Sequence, residues 1–308
     1  MPRPESIPAI ARHYLRALLA GAARRSPFDR TVLLAGSGRS GTTWIGNLIA
    51  HRHDYRVLFE PVHHQKVPEF RQFHNRQYLR PGDSDPTYLD PMTRLLRGRI
   101  RHPWMDGRNQ NRYARKLLVK DIRTNLLLKW VAAQRPDIRI ILLLRHPCAV
   151  AASRVKLGWG PFADAFLAQP AVMEDFLDPF RDLLETRRSA FVGNVVSWCA
   201  ENYVPLKQFA GGGIHLCYYE HVLLEPAREV ARLLTFVGEP LPDDLGAVLS
   251  APSDTNWNRS HQPLPAFDQW KNEVDAGDRD AAVRVLEQFG MQALYDQDGR
   301  PGSATLTR

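Results

Sequence analysis

The segment Thr31-Val-Leu-Leu-Ala-Gly-Ser-Gly-Arg-Ser-Gly-Thr-Thr-Trp-Ile-Gly-Asn-Leu-Ile49 constrains the fold more tightly than any other stretch of the chain. Thr31–Ala35 reads as a buried strand and runs into a turn built on Gly36, Gly38 and Gly41. Beyond the turn, Trp44, Ile45, Leu48 and Ile49 fall on one face of a helix. Strand, glycine turn and helix N-terminus together make an anion site. Glycines let successive backbone N–H groups point into one concavity, and the helix dipole adds favourable potential there. Ser40, Thr42 and Thr43 supply hydroxyl donors.

The turn departs from the phosphate loop of nucleoside triphosphatases, which ends Gly-Lys-Ser/Thr to reach the outer phosphates and magnesium. Here Thr42 follows Gly41, and the cation is Arg39, two residues before that glycine. Such a loop suits fewer phosphates, with an arginine beside the group that moves. A tight strand–helix turn with incidental hydroxyls is the plainer alternative.

Four further apolar runs read as strands: Arg56–Phe59, Leu117–Val119, Ile138–Leu144 and Ile214–Tyr218. Ile138–Leu144 is a near-continuous branched run, as expected of a strand covered on both faces. Helical patterns lie between them. Asn125–Gln134 precedes an Arg135-Pro136-Asp137 turn, and Glu225–Gly238 has Pro226 in its first turn and Gly238 as its stop. The alternation predicts an α/β, P-loop-like three-layer fold with a mostly parallel five-stranded sheet flanked by helices. Two regions break it: an arginine-rich, irregular stretch at 61–116 and a late loop at 251–275. Without repeats or a low-complexity linker, residues 1–308 read as one domain, with 1–29 as a helical extension.

A net charge of +8 has to be placed, and nucleic acid, membrane headgroups and small anions would all satisfy it. The basic amphipathic stretch Ile10–Ala20 reads as a surface helix packed on the main domain, with peripheral membrane contact as the alternative. Its apolar run is too short for a membrane span or a signal peptide. Cys148, Cys199 and Cys217 have no paired spacing, which argues against a disulfide framework or a zinc site and fits a reducing, cytoplasmic setting.

A second anion motif follows the best strand: Leu144-Arg-His-Pro-Cys-Ala-Val-Ala-Ala-Ser-Arg154. A dianionic monophosphate wants an arginine fork plus a hydroxyl from the next helix, which Arg145 and Ser153 would supply. Taken alone, Arg145 could equally be a surface ion-pair residue. The third motif is Ile214-His-Leu-Cys-Tyr-Tyr-Glu-His221, running into the helix that closes on Phe236-Val-Gly238.

These motifs, in this order, resemble the sulfotransferases that use 3'-phosphoadenylyl sulfate (PAPS), nearest to bacterial and carbohydrate members. The resemblance implies that Gly38, Arg39, Ser40, Gly41, Thr42, Thr43 and Trp44 form the 5'-phosphosulfate loop. Arg145 and Ser153 then take the 3'-phosphate, and Tyr219 lies near the adenine, with Trp44 as the other aromatic candidate. Asp268-Gln-Trp-Lys-Asn-Glu-Val274 is similar to the family's cofactor-covering Trp-Lys segment, and Arg259 upstream is a further candidate for the 3'-phosphate.

The resemblance also implies the reaction: in-line transfer of a sulfuryl group to a hydroxyl, with no metal required. Arg39 would stabilise the leaving group, and Lys120, in Leu118-Val-Lys-Asp-Ile-Arg123, matches a family lysine that contacts the sulfonate. Cytosolic members place a catalytic histidine two residues later, but Ile122 stands there and cannot accept a proton. Glu60, in Val57-Leu-Phe-Glu-Pro-Val-His-His64, resembles the Glu-Pro of carbohydrate sulfotransferases and is the candidate base, ahead of His63 or His64. Burial beside Phe59 and Pro61 is expected to raise its pKa, against nearby arginines. The acceptor is expected to be a sugar or glycan, with a lipid or other small hydroxyl compound as the alternative, and to meet residues 61–116. Three rival readings are a P-loop kinase, a nucleic-acid-binding module and a nucleotide-binding protein without catalysis. The kinase lacks its lysine after Gly41, the nucleic-acid module lacks aromatic interleaving, and Arg39, Lys120 and Glu60 speak for turnover.

Overall fold

A five-stranded, wholly parallel sheet organises the computed structural model, which describes residues 28–107, 109, 114–250, 268–296 and 298–302. Strand β1 is Arg30–Gly36, β2 Tyr55–Phe59, β3 Lys116–Asp121, β4 Arg139–Leu144 and β5 His215–Tyr218. Their order across the sheet is β2-β3-β1-β4-β5. Each apolar run lengthens or shortens by one to three residues against expectation, because pairing and not composition decides where a strand stops.

The near-continuous apolar strands are explained by two separate cores. Leu33, Ala35, Val119 and Leu142 point into one, and Val32, Leu34, Leu118 and Ile141 into the other. Helix α1, Thr42–Ile49, covers the second face. The arginine-rich stretch contributes α2, Pro86–Leu96, and the short α3, Pro103–Asp106. Then come α4, Leu128–Gln134, α5, Pro147–Lys156, and α6, Ala190–Gln208. The chain continues through α7, Tyr219–Leu224, α8, Pro226–Val237, and α9, Ala276–Gln288. Helix α8 returns to the face of α1 and ends on Gly238 in a left-handed conformation, the stop its sequence predicts.

The stretch 61–116 is more regular than expected. Asp85 caps α2 by accepting from the Thr87 N–H at 2.8 Å, and Met92, Leu95 and Leu96 bury its apolar side. Its arginines are also not one basic face. Arg76 is buried against Glu201, Arg80 pairs on the surface with Glu174 and Asp175, and Arg115 pairs with Asp29. The N-terminal stretch, Arg108, Arg112 and residues 251–267 lie outside the described residues. No helix of the described residues is long and apolar enough to cross a membrane.

Helix α6 runs behind the glycine-rich loop after β1 and carries polar groups into the core. Glu201 accepts from Arg76 Nε at 2.7 Å and pairs with Arg154 Nη2 at 2.5 Å. Arg154, fully buried, donates through Nε to the Gly38 carbonyl at 3.2 Å. The next residue, Asn202, donates to the Ser37 hydroxyl at 2.9 Å. Glu201→Gln leaves two buried guanidinium groups without their counter-charge. Urea denaturation should register a loss of about 3–5 kcal/mol; a loss below about 1 kcal/mol would show that the network contributes nothing.

Candidate active site

The strand order sets five chain segments side by side along the carboxyl edge of the sheet. Across the edge stand Glu60 after β2, Lys120 ending β3, the loop after β1, Arg145 after β4 and Tyr219 after β5. Connections diverge on either side of β1, which opens the crevice where parallel sheets take their ligands.

In the loop, Gly41 has φ +91° and caps α1. A Cβ there would also come within 2.7 Å of the Tyr219 ring, so both conformation and space demand glycine. Arg39 itself sits at φ +82°, a costly conformation for a residue with a side chain. Its Nε donates to the Ser153 hydroxyl at 3.0 Å, while Arg145 Nη1 donates to the Arg39 carbonyl at 3.0 Å. The two segments that the sequence marks as candidate anion cradles are therefore in direct contact. Burial and the neighbouring Arg145 hold the Arg39 pKa below its ordinary value, the mark of a cationic cleft suited to an anion.

Two orphaned groups fit that reading. Ser40 Oγ and Arg145 Nε are buried with no hydrogen-bond partner among the described residues. Bound phosphate oxygens are the acceptors such donors need. Thr42 is buried and Thr43 partly so, while Arg259 lies outside the described residues. Trp44 and Tyr219 are 5% and 6% exposed and meet edge-on at 5.3 Å. The Arg145 guanidinium lies 4.6 Å over the Tyr219 ring. Both rings thus prop the loop and the arginine from below. The late Trp-Lys segment also arrives here, where Trp270 stacks on His146 at 4.3 Å. The His146 N–H donates to Glu220 at 2.8 Å.

At the other end, Glu60 accepts from Lys120 Nζ at 2.9 Å and from Arg123 Nη1 at 3.0 Å. Burial raises its pKa, as the sequence suggested, but Lys120 and then Arg123 more than offset this and leave it below the usual carboxylate value. Glu60 is therefore ionised at neutral pH. Its charge also acts to raise the Arg39 pKa, against burial and Arg145. Burial, then Arg123, pushes His63 down to about 4, and His64 is lowered by the same causes. Both imidazoles are neutral at pH 7.

Sequence reasoning missed several members. Arg123 was visible only as a neighbour of Lys120. Trp159 and Ile122 crowd Gly38: a Cβ there would come within 2.8 Å of Trp159 and 3.2 Å of Ile122. Trp104 donates to the Glu60 carbonyl from α3. Glu201 had a detectable signal, since Asn194, Ser197 and Glu201 form a polar stripe on an otherwise apolar helix. No group of three His, Cys, Asp or Glu side chains among the described residues could hold a metal ion.

Residues 31–243 match the sulfotransferase family. The chain belongs to that family. No curated protein sequence matches it. Among solved structures it is similar to the sulfotransferase domain of the Synechococcus PCC 7002 olefin synthase, at 15% identity and a TM-score of 0.49, covering 89% of this chain and 98% of that one. A sulfotransferase domain from the curacin biosynthetic pathway gives 15% identity and a TM-score of 0.47 over 86% and 99% of the two chains. Mouse sulfotransferase SULT7A1, complexed with PAP, gives 13% identity and a TM-score of 0.46 over 85% and 86%.

Burial pushes the Glu220 carboxyl behind Arg145 up to about 7, from an ordinary 4.5. A carboxyl raised on folding favours the folded state below its unfolded pKa and loses that contribution as pH rises through the folded value. The thermal midpoint should therefore fall between pH 5 and pH 8, and Glu220→Gln should flatten that slope. An unchanged slope in the variant would remove Glu220 from the account.

Proposed function

We propose that this sulfotransferase moves a sulfuryl group from PAPS to the hydroxyl of a sugar or glycan, with Glu60 as general base. One observation carries the reading: the Arg39–Ser153 hydrogen bond joins the two anion cradles, at 3.0 Å, within a cleft that also feels Glu60. A nucleotide phosphorylated at both ends needs two adjacent cradles, and an acceptor hydroxyl needs a base beside the transferred group.

PAPS is the donor substrate: its sulfur–bridging-oxygen bond breaks as a bond from the acceptor oxygen to sulfur forms. The acceptor proton passes to Glu60, and the products are a sulfate ester, 3'-phosphoadenosine 5'-phosphate (PAP) and a proton. Gly38, Ser40, Gly41, Thr42 and Thr43 would hold the 5' end, with Arg39 stabilising the leaving charge. Arg145 and Ser153 would hold the 3'-phosphate, with Arg259 as a further candidate. Lys120 would turn to the sulfonate. While paired with Lys120 and Arg123, Glu60 has low proton affinity. Withdrawing Lys120 towards an anionic donor would restore that affinity, so the base strengthens when the donor is in place.

PAP at a hundred times its dissociation constant should stabilise the protein by about 2.7 kcal/mol in a thermal-shift titration, with AMP far weaker at equal concentration. Arg145→Ala should erase the difference between them; an equal response of the unmodified chain to PAP and AMP would end the 3'-phosphate assignment. Glu60→Gln should keep PAP affinity while losing roughly 100-fold or more in turnover, measured as PAP release from PAPS. Unchanged turnover would pass the role to His63 or His64.

A further inference from the structure

Glu60 occupies a backbone conformation that a glutamate leaves unless it is held, with φ at +46°. Two hydrogen bonds hold it. Its N–H donates to the Lys120 carbonyl at 2.7 Å, and its carbonyl accepts from the Trp104 indole N–H at 3.1 Å. The first bond continues the edge between β2 and β3. The second comes from α3, in the stretch whose sequence showed no pattern.

That helix is rigidly mounted. Arg56 Nε and Nη2 grip the two oxygens of Asp106 at 2.8 Å and 2.9 Å, and both residues are buried. The same guanidinium donates to the Gly98 and Ile100 carbonyls, each at 2.6 Å. A bidentate, buried ion pair fixes both position and orientation. Trp104 thus reaches Glu60 from a fixed base.

Yet Trp104 is 36% exposed, the only aromatic ring among the exposed large apolar side chains of the described residues. Phe59 stands 5.9 Å away and His63 5.4 Å away, centroid to centroid. The Nδ1 atom of His63 is buried without a partner among the described residues. Half-open aromatic surface beside a polar handle suits a ring that carries its hydroxyl at one edge, whether a pyranose or a phenol. A flexible alkyl alcohol gains contact there but little orientation.

We infer that Trp104 is the positioning residue for Glu60 and that its exposed surface is the shelf for a ring-bearing acceptor. The inference rests on the reading of Glu60 as base. Its test compares Trp104→Phe, which keeps a ring but loses the N–H, with Trp104→Leu, which loses both. Phenyl β-glucoside, p-nitrophenol and n-octanol serve as acceptor probes, with turnover read as PAP release. Isothermal titration calorimetry of the PAP-loaded protein reads acceptor binding independently of turnover.

Trp104→Phe should lower turnover roughly tenfold while acceptor KM and PAP affinity stay within twofold, because a small displacement of a base costs rate and not binding. Trp104→Leu should show the same fall and also weaken the two ring probes roughly fivefold, leaving n-octanol unmoved. Wild-type turnover in Trp104→Phe would overturn the positioning role. Unchanged ring-probe binding in Trp104→Leu would overturn the shelf. Loss of PAP affinity in both variants would reduce Trp104 to general packing and overturn both. Wild-type turnover in Glu60→Gln would instead sink the reading of the base, while the calorimetric arm would still decide the shelf.

Discussion

A single buried carboxylate underlies the nucleotide side of this protein. Glu201 compensates Arg154 and Arg76 in the core, and Arg154 in turn holds the Gly38 carbonyl. The glycine-rich loop after β1 gathers an arginine and a tight turn into a strained arrangement, with Arg39 and Gly41 both at positive φ. Such strain persists only where surrounding structure over-determines it. Here that structure is polar and buried: a guanidinium behind the loop, neutralised from helix α6. The result is a cationic cleft whose two supporting guanidinium groups share one buried carboxylate.

The same economy governs the acceptor side. Glu60 is the carboxylate between Lys120 and Arg123, and its own backbone is strained. Two cations keep it ionised, and two hydrogen bonds keep it in place. Both ends of the crevice therefore use one solution. A charged side chain sits in an unfavourable local conformation, clamped by partners from distant parts of the chain.

This distribution explains what could be read from the sequence. The strand–glycine–helix signature, the five strands and the Arg145–Ser153 motif are local, and each appeared nearly where the residues placed it. The stop at Gly238 was legible for the same reason. The helix Pro86–Leu96 was hidden because arginines and an internal proline mask its apolar side. Arg76 looked like part of a basic surface because nothing local reveals a partner 125 residues away. The net pKa of Glu60 was misjudged because burial is readable from neighbouring apolar residues, whereas Lys120 and then Arg123 reach it only through the geometry of the β3 tip. Trp104 and Trp159 have no motif, and they join the site by folding alone.

The row of residues at the sheet edge also inherits its accuracy from the strands beneath. Lys120 is paired in register with Leu34 on one side and Phe59 on the other. Slipping β3 by one residue would carry its tip about 3.3 Å along the strand axis. It would also turn the lysine to the opposite face of the sheet. The spacing of the chemistry is thus quantised by the hydrogen-bond ladder: intermediate settings do not exist, and drift between donor and acceptor halves can occur only through the loops that cap the strands.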